Sequence, residues 1–250
     1  MRFNEFKDIS LDEGPNDPHI FKAVFMAGSP GSGKSTIARM LFGGSGLKTL
    51  NVDEFWQLYK KKNKPGDYEK FWDLYTQKEK PLKANKLGLL IDGTGKNPEI
   101  MKRIKAELTE QGYECIMVYV NVDLETSVQR AKARARNSDS PDYGREIDDD
   151  FIKTTWNRVN AGKADLERIF GDGFYEVDNS GDPNIRPIEK RIRQWLNSPP
   201  SNPIAKDWLD QHRNRPISSR PDVTWTRGQN RNSAASQQQT RPAPAQDQNQ

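Results

Sequence analysis

Five short, almost unbroken apolar runs punctuate the chain: Lys22–Ala27, Lys48–Val52, Leu87–Ile91, Cys115–Val122 and Phe174–Val177. Their length suits buried strands better than helices. Between them the apolar residues fall at helical spacing, over Thr36–Phe42, 97–111, 124–136, about 148–170 and Ile185–Leu196. The Lys/Tyr/Trp/Phe-rich segment from Phe55 to Lys86 fits two more helices, split by Pro65-Gly66 and with the second starting near Asp67. There, core packing explains Phe71, Trp72, Leu74 and Tyr75 more economically than base stacking does. Buried strands alternating with helices predict an α/β fold with a parallel sheet covered on both faces. In such a sheet, ligands sit at the carboxyl ends of the strands.

Composition sharpens the boundaries. Of 250 residues, 33% are hydrophobic and 30% charged, and the polar excess gathers after Ser198 in Pro, Gln, Ser and Asn. The reading is an N-terminal extension over 1–20, a domain over 21–197, and a disordered low-complexity tail over 198–250. Trp208 and Leu209 are expected to dock only transiently, so truncation after Leu196 should leave thermal stability nearly unchanged. His19 and His212 are placed in polar, mobile surroundings. The tail holds seven Lys/Arg against four Asp, leaving about +1 of the net +4 on the domain. A nearly neutral domain argues against a dedicated duplex-binding protein, so nucleic acid is not the favoured partner. Cys115, the single cysteine, lies in an apolar run and reads as a small core hydrophobe. With no apolar leader and no membrane-length run, the expected location is the cytoplasm.

The chemistry starts at the end of the first run. Gly28-Ser29-Pro30-Gly31-Ser32-Gly33-Lys34-Ser35 is a full G-x-x-x-x-G-K-[ST] loop, followed by Thr36 and a helix. That strand–loop–helix setting is what the motif needs: backbone N–H groups and the helix N-terminus cradle phosphates. Lys34 is then expected on the β/γ-phosphates and Ser35 on Mg²⁺, with ATP as the nucleotide.

Two other runs end in carboxylates. Asp53 follows Asn51-Val52 on the same rim and suits a general base for a substrate hydroxyl, though an aspartate there also caps a helix. Asp92, opening Asp92-Gly93-Thr94-Gly95-Lys96, stands where phosphate-loop enzymes keep a Mg²⁺-organising carboxylate. Thr94 and Lys96 are candidates to touch a substrate phosphate; a turn before the helix at Asn97-Pro98-Glu99 is the plainer account. Arg130 and Arg134 share a helix face four residues apart, which suits a lid that neutralises transferring phosphate; Arg145 lies beyond a polar break. Lys60–Lys64 could receive an anion but reads as a solvated face. Asp178–Gly181 follows the fifth strand near where an adenine would lie.

Together these residues resemble the small P-loop kinases that include phage polynucleotide 5′-hydroxyl kinase and the zeta-toxin sugar-nucleotide kinases. The match runs from about Phe21 to Asp182, on Gly28–Thr36, Asn51–Phe55, Ile91–Thr94 and the Arg130/Arg134 pair. Gly93-Thr94 and Phe174–Asp182 look more like the zeta-toxin and phage-encoded members. The resemblance implies a three-layer, adenylate-kinase-like sandwich with strand order 2-3-1-4-5. It also implies Asp53 as general base, and Arg130, Arg134 and Arg145 in the lid. Trp56 stands where polynucleotide kinase carries an arginine for the acceptor's 3′-phosphate, which counts against a nucleic-acid acceptor.

The resulting expectation is an ATP- and Mg²⁺-dependent kinase for a hydroxyl of a small molecule or sugar nucleotide, with Lys34, Asp53, Arg130 and Arg134 catalytic. The alternatives are polynucleotide 5′-hydroxyl phosphorylation and, in another class, a nucleotide-gated assembly module with the tail as its interaction arm.

Overall fold

The computed structural model describes residues 14–51, 68–138, 144 and 147–213. All of them belong to the first of two units into which the chain divides, Met1–Asn214; the second, Arg215–Gln250, lies outside the described residues.

The strands are β1 (Lys22–Ala27), β2 (Lys48–Asn51), β3 (Leu89–Asp92), β4 (Glu114–Asn121) and β5 (Phe174–Asp178). They form one sheet in the order β2-β3-β1-β4-β5, with every pairing parallel. This is the order that the resemblance implies. The helices are α1 (Lys34–Phe42), α2 (Tyr68–Ala84), α3 (Pro98–Glu110), α4 (Leu124–Arg136), α5 (Asp149–Ala161), α6 (Lys163–Phe170), α7 (Arg186–Leu196) and α8 (Pro203–Arg213).

Side-chain alternation along the central strands builds the two faces. Ala23, Phe25 and Ala27 of β1 join Met117 and Tyr119 of β4 in one core, beneath Leu108 of α3, Val159 of α5 and Leu166 of α6. Val24 and Met26 join Ile116, Val118 and Val120 in the other, beneath Ile37 and Leu41 of α1 and Ile192 and Leu196 of α7. Each buried Val, Leu, Ile, Phe or Met side chain among them contributes about 1.5–3 kcal/mol, which is why these faces settle the layering. Caps fix where the helices begin: Asn97 accepts from Ile100 N at 3.3 Å, and Asp123 from Thr126 N at 2.8 Å. Among the described residues, no helix is long and apolar enough to cross a membrane.

Four expectations need correction. β3 starts at Leu89 because Leu87 N still donates to Leu82 O at the end of α2, and it extends to Asp92 through pairing with Met26. The long stretch to Phe170 is two helices, broken at Gly162, where an added Cβ would lie 2.8 Å from Pro98 Cγ. Residues 14–20 are no loose extension: Asp17, His19 and Ile20 are buried, and His19 Nδ1 lies 3.2 Å from the Leu196 carbonyl. That carbonyl can only accept, so Nδ1 carries the proton.

The fourth correction concerns the segment assigned to the tail. α8 packs Ala205 and Leu209 into the β1 core, and the Trp208 ring meets Phe21 edge-on at 5.5 Å. His212 stacks on Trp208 at 3.9 Å. The domain therefore reaches at least Arg213. The polar composition of the residues after Arg213 masks a short helix whose core-facing apolar positions are only 205, 208 and 209.

Lys22, within the first apolar run, is wholly buried at the foot of β1. Its ammonium donates to Glu114 Oε2 at 2.5 Å and Ser198 Oγ at 3.1 Å, and lies 4.8 Å from the Trp195 ring centre. Glu114 also accepts from the Ser201 backbone and hydroxyl, so one buried charge pair ties β1, β4 and the approach to α8 together. Burial pushes the Glu114 carboxyl up, but its bonds to Lys22 and Ser201 outweigh that and hold it below the ordinary value. Cys115 packs against the β1 core as expected, and burial pushes its thiol up to about 11, well away from thiolate chemistry.

Candidate functional site

β1 delivers the chain to Gly28, and the helix α1 begins at Lys34. Between them the backbone must curl tightly, and Gly31 (φ 78°) and Gly33 (φ 83°) take the left-handed conformations that allow it. Lys34 Nζ folds over the loop onto Gly28 O at 2.8 Å and Ser29 O at 3.3 Å. Ser32 is fully buried, and its hydroxyl has no hydrogen-bond partner among the described residues. Ser35 and Thr36 stand in the first turn of α1, and both are exposed. Backbone amides, a helix N-terminus, an ammonium and a buried hydroxyl without a partner among the described residues make a concave, electropositive nest suited to phosphate oxygens.

Two residues that the motif does not contain brace this loop from behind. Ser127, buried on α4, donates its hydroxyl to Pro30 O at 2.6 Å and lies 3.2 Å from Ser29 Oγ. With its one proton on Pro30, Ser127 accepts from Ser29. Asn179, just past β5, donates its side-chain amide to Ser32 O at 2.7 Å and its backbone N–H to Asn121 O at 2.9 Å. Sequence reasoning singles out Asn179 only for adenine and misses Ser127. The available signal is Ser127, Ala131 and Ala135, a line of small buried residues on α4 that lets the helix approach the loop.

Arg130 and Arg134 share α4 but have different surroundings. Arg130 Nη1 donates to Asn179 O at 2.6 Å, whereas Arg134 is exposed one turn further on. Asp178 accepts from Ser180 N at 2.9 Å, which holds its carboxyl below the ordinary value.

On the other side of the loop, register aligns Asp92 with both Met26 of β1 and Asn51 of β2. Asn51 donates to Asp92 Oδ2 at 2.8 Å. The chain after Asp92 runs beside the phosphate loop, with Gly28 N donating to Thr94 O at 3.0 Å. Thr94 Oγ1 accepts from Lys96 N at 3.4 Å, and Lys96 is exposed. Ser35 and Asp92 offer the hard oxygen donors that Mg²⁺ prefers. Asp53, Lys60–Lys64 and Arg145 lie outside the described residues. A groove of about 610 Å³ between α3 and α6, lined by Lys102, Lys105 and Arg168 with Glu99, Glu110 and Asp165, shares no residue with this rim.

The family model for zeta toxin matches residues 12–171, most of the chain, including the phosphate loop, Asp92 and α4. The chain belongs to the zeta-toxin family. It therefore carries a zeta-toxin-like P-loop kinase fold, and a phosphotransferase is the activity class that goes with it. No curated protein matches. Among solved structures, the chain is similar to a protein of the PezAT chromosomal toxin–antitoxin system of Streptococcus pneumoniae, at 16% identity and TM-score 0.47 over 84% of this chain and 93% of that one. It is also similar to the tunicamycin resistance protein of Deinococcus radiodurans, at 15% identity and TM-score 0.43 over 71% and 96% of the two chains. A third is shikimate kinase from Acinetobacter baumannii, at 18% identity and TM-score 0.41 over 70% and 92%.

Proposed function

We propose that this zeta-toxin family protein is an ATP-dependent kinase that transfers the γ-phosphoryl group to a hydroxyl of a small-molecule or sugar-nucleotide acceptor. The observation that carries the reading is the phosphate nest, with Lys34 above it and the buried Ser32 hydroxyl within it. A loop of this form with a second carboxylate-bearing rim beside it suits phosphoryl transfer better than simple nucleotide storage.

In this reading the backbone from Gly28 to Thr36 binds the triphosphate, and Lys34 exchanges its contact with Gly28 O for a phosphate oxygen. Mg²⁺, held by Ser35 and Asp92, supplies charge neutralisation at the phosphates. Asp53 accepts the proton of the attacking hydroxyl, which raises its nucleophilicity. The hydroxyl oxygen bonds to the γ-phosphorus as the bond from that phosphorus to the β–γ bridging oxygen breaks, releasing ADP. Arg134 bears on the transferring group, and Arg130 keeps the nucleotide end of the site in shape. The domain's near-neutral charge and Trp56 favour a small acceptor over a polynucleotide.

The test is one assay with γ-labelled ATP, offering a panel of sugar nucleotides alongside a 5′-hydroxyl oligonucleotide. Label on a sugar nucleotide, lost by orders of magnitude in Asp53→Asn while ATP binding persists, supports the reading. Label on the oligonucleotide alone makes the protein a polynucleotide kinase. No transfer to any acceptor, with partner affinity that changes between ATP and ADP, makes it a nucleotide-gated module.

A further inference from the structure

We infer that Ser127 and Asn179 are positioning residues that hold the phosphate loop in its binding shape before any nucleotide arrives. The inference rests on the nucleotide-binding reading above and adds two residues outside the motif. Its basis is peptide geometry. A trans peptide is planar, with its C=O and N–H pointing in opposite directions. Ser127 holds Pro30 O at 2.6 Å, so the N–H of Gly31 points away from α4. Asn179 holds Ser32 O at 2.7 Å, so the N–H of Gly33 points away from the β5 side. The Pro30 and Ser32 carbonyls are thus turned outward, which turns the N–H groups of Gly31 and Gly33 inward, toward the nest.

The braces are themselves braced. Three polar groups of Asn179 reach different elements: its backbone N–H reaches β4 at Asn121, its carbonyl receives Arg130 of α4, and its amide reaches the loop. Space is matched as closely. A Cβ at Gly31 would lie 2.1 Å from Ser127 O, and one at Gly33 would lie 2.3 Å from Asn179 Nδ2. Convergent amides repel one another until an anion fills the nest, so an unbraced loop would spend time in other shapes and bind more weakly by that fraction.

Ser127→Ala and Asn179→Ala test this in the full chain, with Mg²⁺–ATP as probe. Each is expected to raise the calorimetric Kd and the KM for ATP about tenfold, the effect of cutting the competent fraction to about a tenth. The kcat at saturating ATP stays within about twofold, because bound nucleotide then holds the loop. In the nucleotide-free protein, amide exchange at Gly31 and Gly33 accelerates while that of β4 does not. Unchanged Kd in both variants, or a fall in kcat at constant KM, overturns the inference. If Asn179→Ala does not fold, Ser127→Ala, which removes one hydroxyl and little volume, decides alone. Wild-type protein that binds no ATP overturns the kinase reading and this inference with it; wild-type binding matched by both variants overturns this inference only.

Discussion

Asn51 at the end of β2 donates its side-chain amide to Asp92 Oδ2 at the end of β3, at 2.8 Å, and the two residues are direct register partners. One oxygen of the carboxylate is thereby fixed by the neighbouring strand, and its rotamer with it. In the proposed role of organising Mg²⁺, a carboxylate set this way needs no reorganisation when the ion arrives.

Asp92→Asn should therefore reduce Mg²⁺-dependent transfer by about 100-fold or more, and Asn51→Ala should raise the Mg²⁺ concentration for half-maximal activity by about tenfold. A Mg²⁺ titration of each variant measures both. An unshifted titration for Asn51→Ala would mean that the hydrogen bond merely ties two strands.

Gly31→Ala and Gly33→Ala should both abolish the rise in melting temperature that ATP gives the wild type. Each Cβ would enter a brace, at 2.1 Å and 2.3 Å respectively, in a backbone conformation that alanine resists. Thermal melts with and without nucleotide check this, and Gly44→Ala, with open space around its Cβ and the same sign of φ, controls for strain alone.

Leu209→Ala should destabilise the domain by about 2–4 kcal/mol, since it empties a site in the β1 core. Truncation after Leu196, which also removes Ala205 and the Trp208 contact with Phe21, should lower the melting temperature by more. Denaturant unfolding measures the first and a thermal melt the second. An unchanged melting point after truncation would mean that α8 adds nothing to the fold.

Glu114→Gln should destabilise by about 3 kcal/mol at pH 7, because it leaves the buried Lys22 without its counter-charge. The Glu114 carboxyl titrates below its ordinary value, so the folded state binds that proton less readily than the unfolded chain. The stabilisation is then complete above the ordinary carboxylate range and disappears as pH falls through the lower folded value. Melting curves of both proteins from pH 7 downward should converge only in acid. A constant gap across that range would place the effect in packing.

Periodicity and one local motif carry much of this protein. Apolar runs at Lys22–Ala27 and Cys115–Val122 suit buried strands better than helices, and Gly28–Ser35 curls as it does where a strand meets a helix. Hydrophobic spacing and loop sterics are short-range properties, written in neighbouring residues, so the elements and the phosphate nest were legible from the chain alone. The partners of that nest were not. Ser127 and Asn179 are 97 and 147 residues from the carbonyl groups they hold, and a serine inside a helix or an asparagine after a strand has no local pattern to mark such a role. Strand order brought them there, by setting β4 beside β1 and β5 beside β4. The same holds for Lys22, whose place in an apolar run makes physical sense only once Glu114 and Ser198 close around it. It holds for α8 too, whose few apolar residues count only because Phe21 and Gly112 leave a place for them. What braces the loop, and where the domain ends, became visible only once the chain had folded back on itself, because both depend on contacts between residues far apart in sequence.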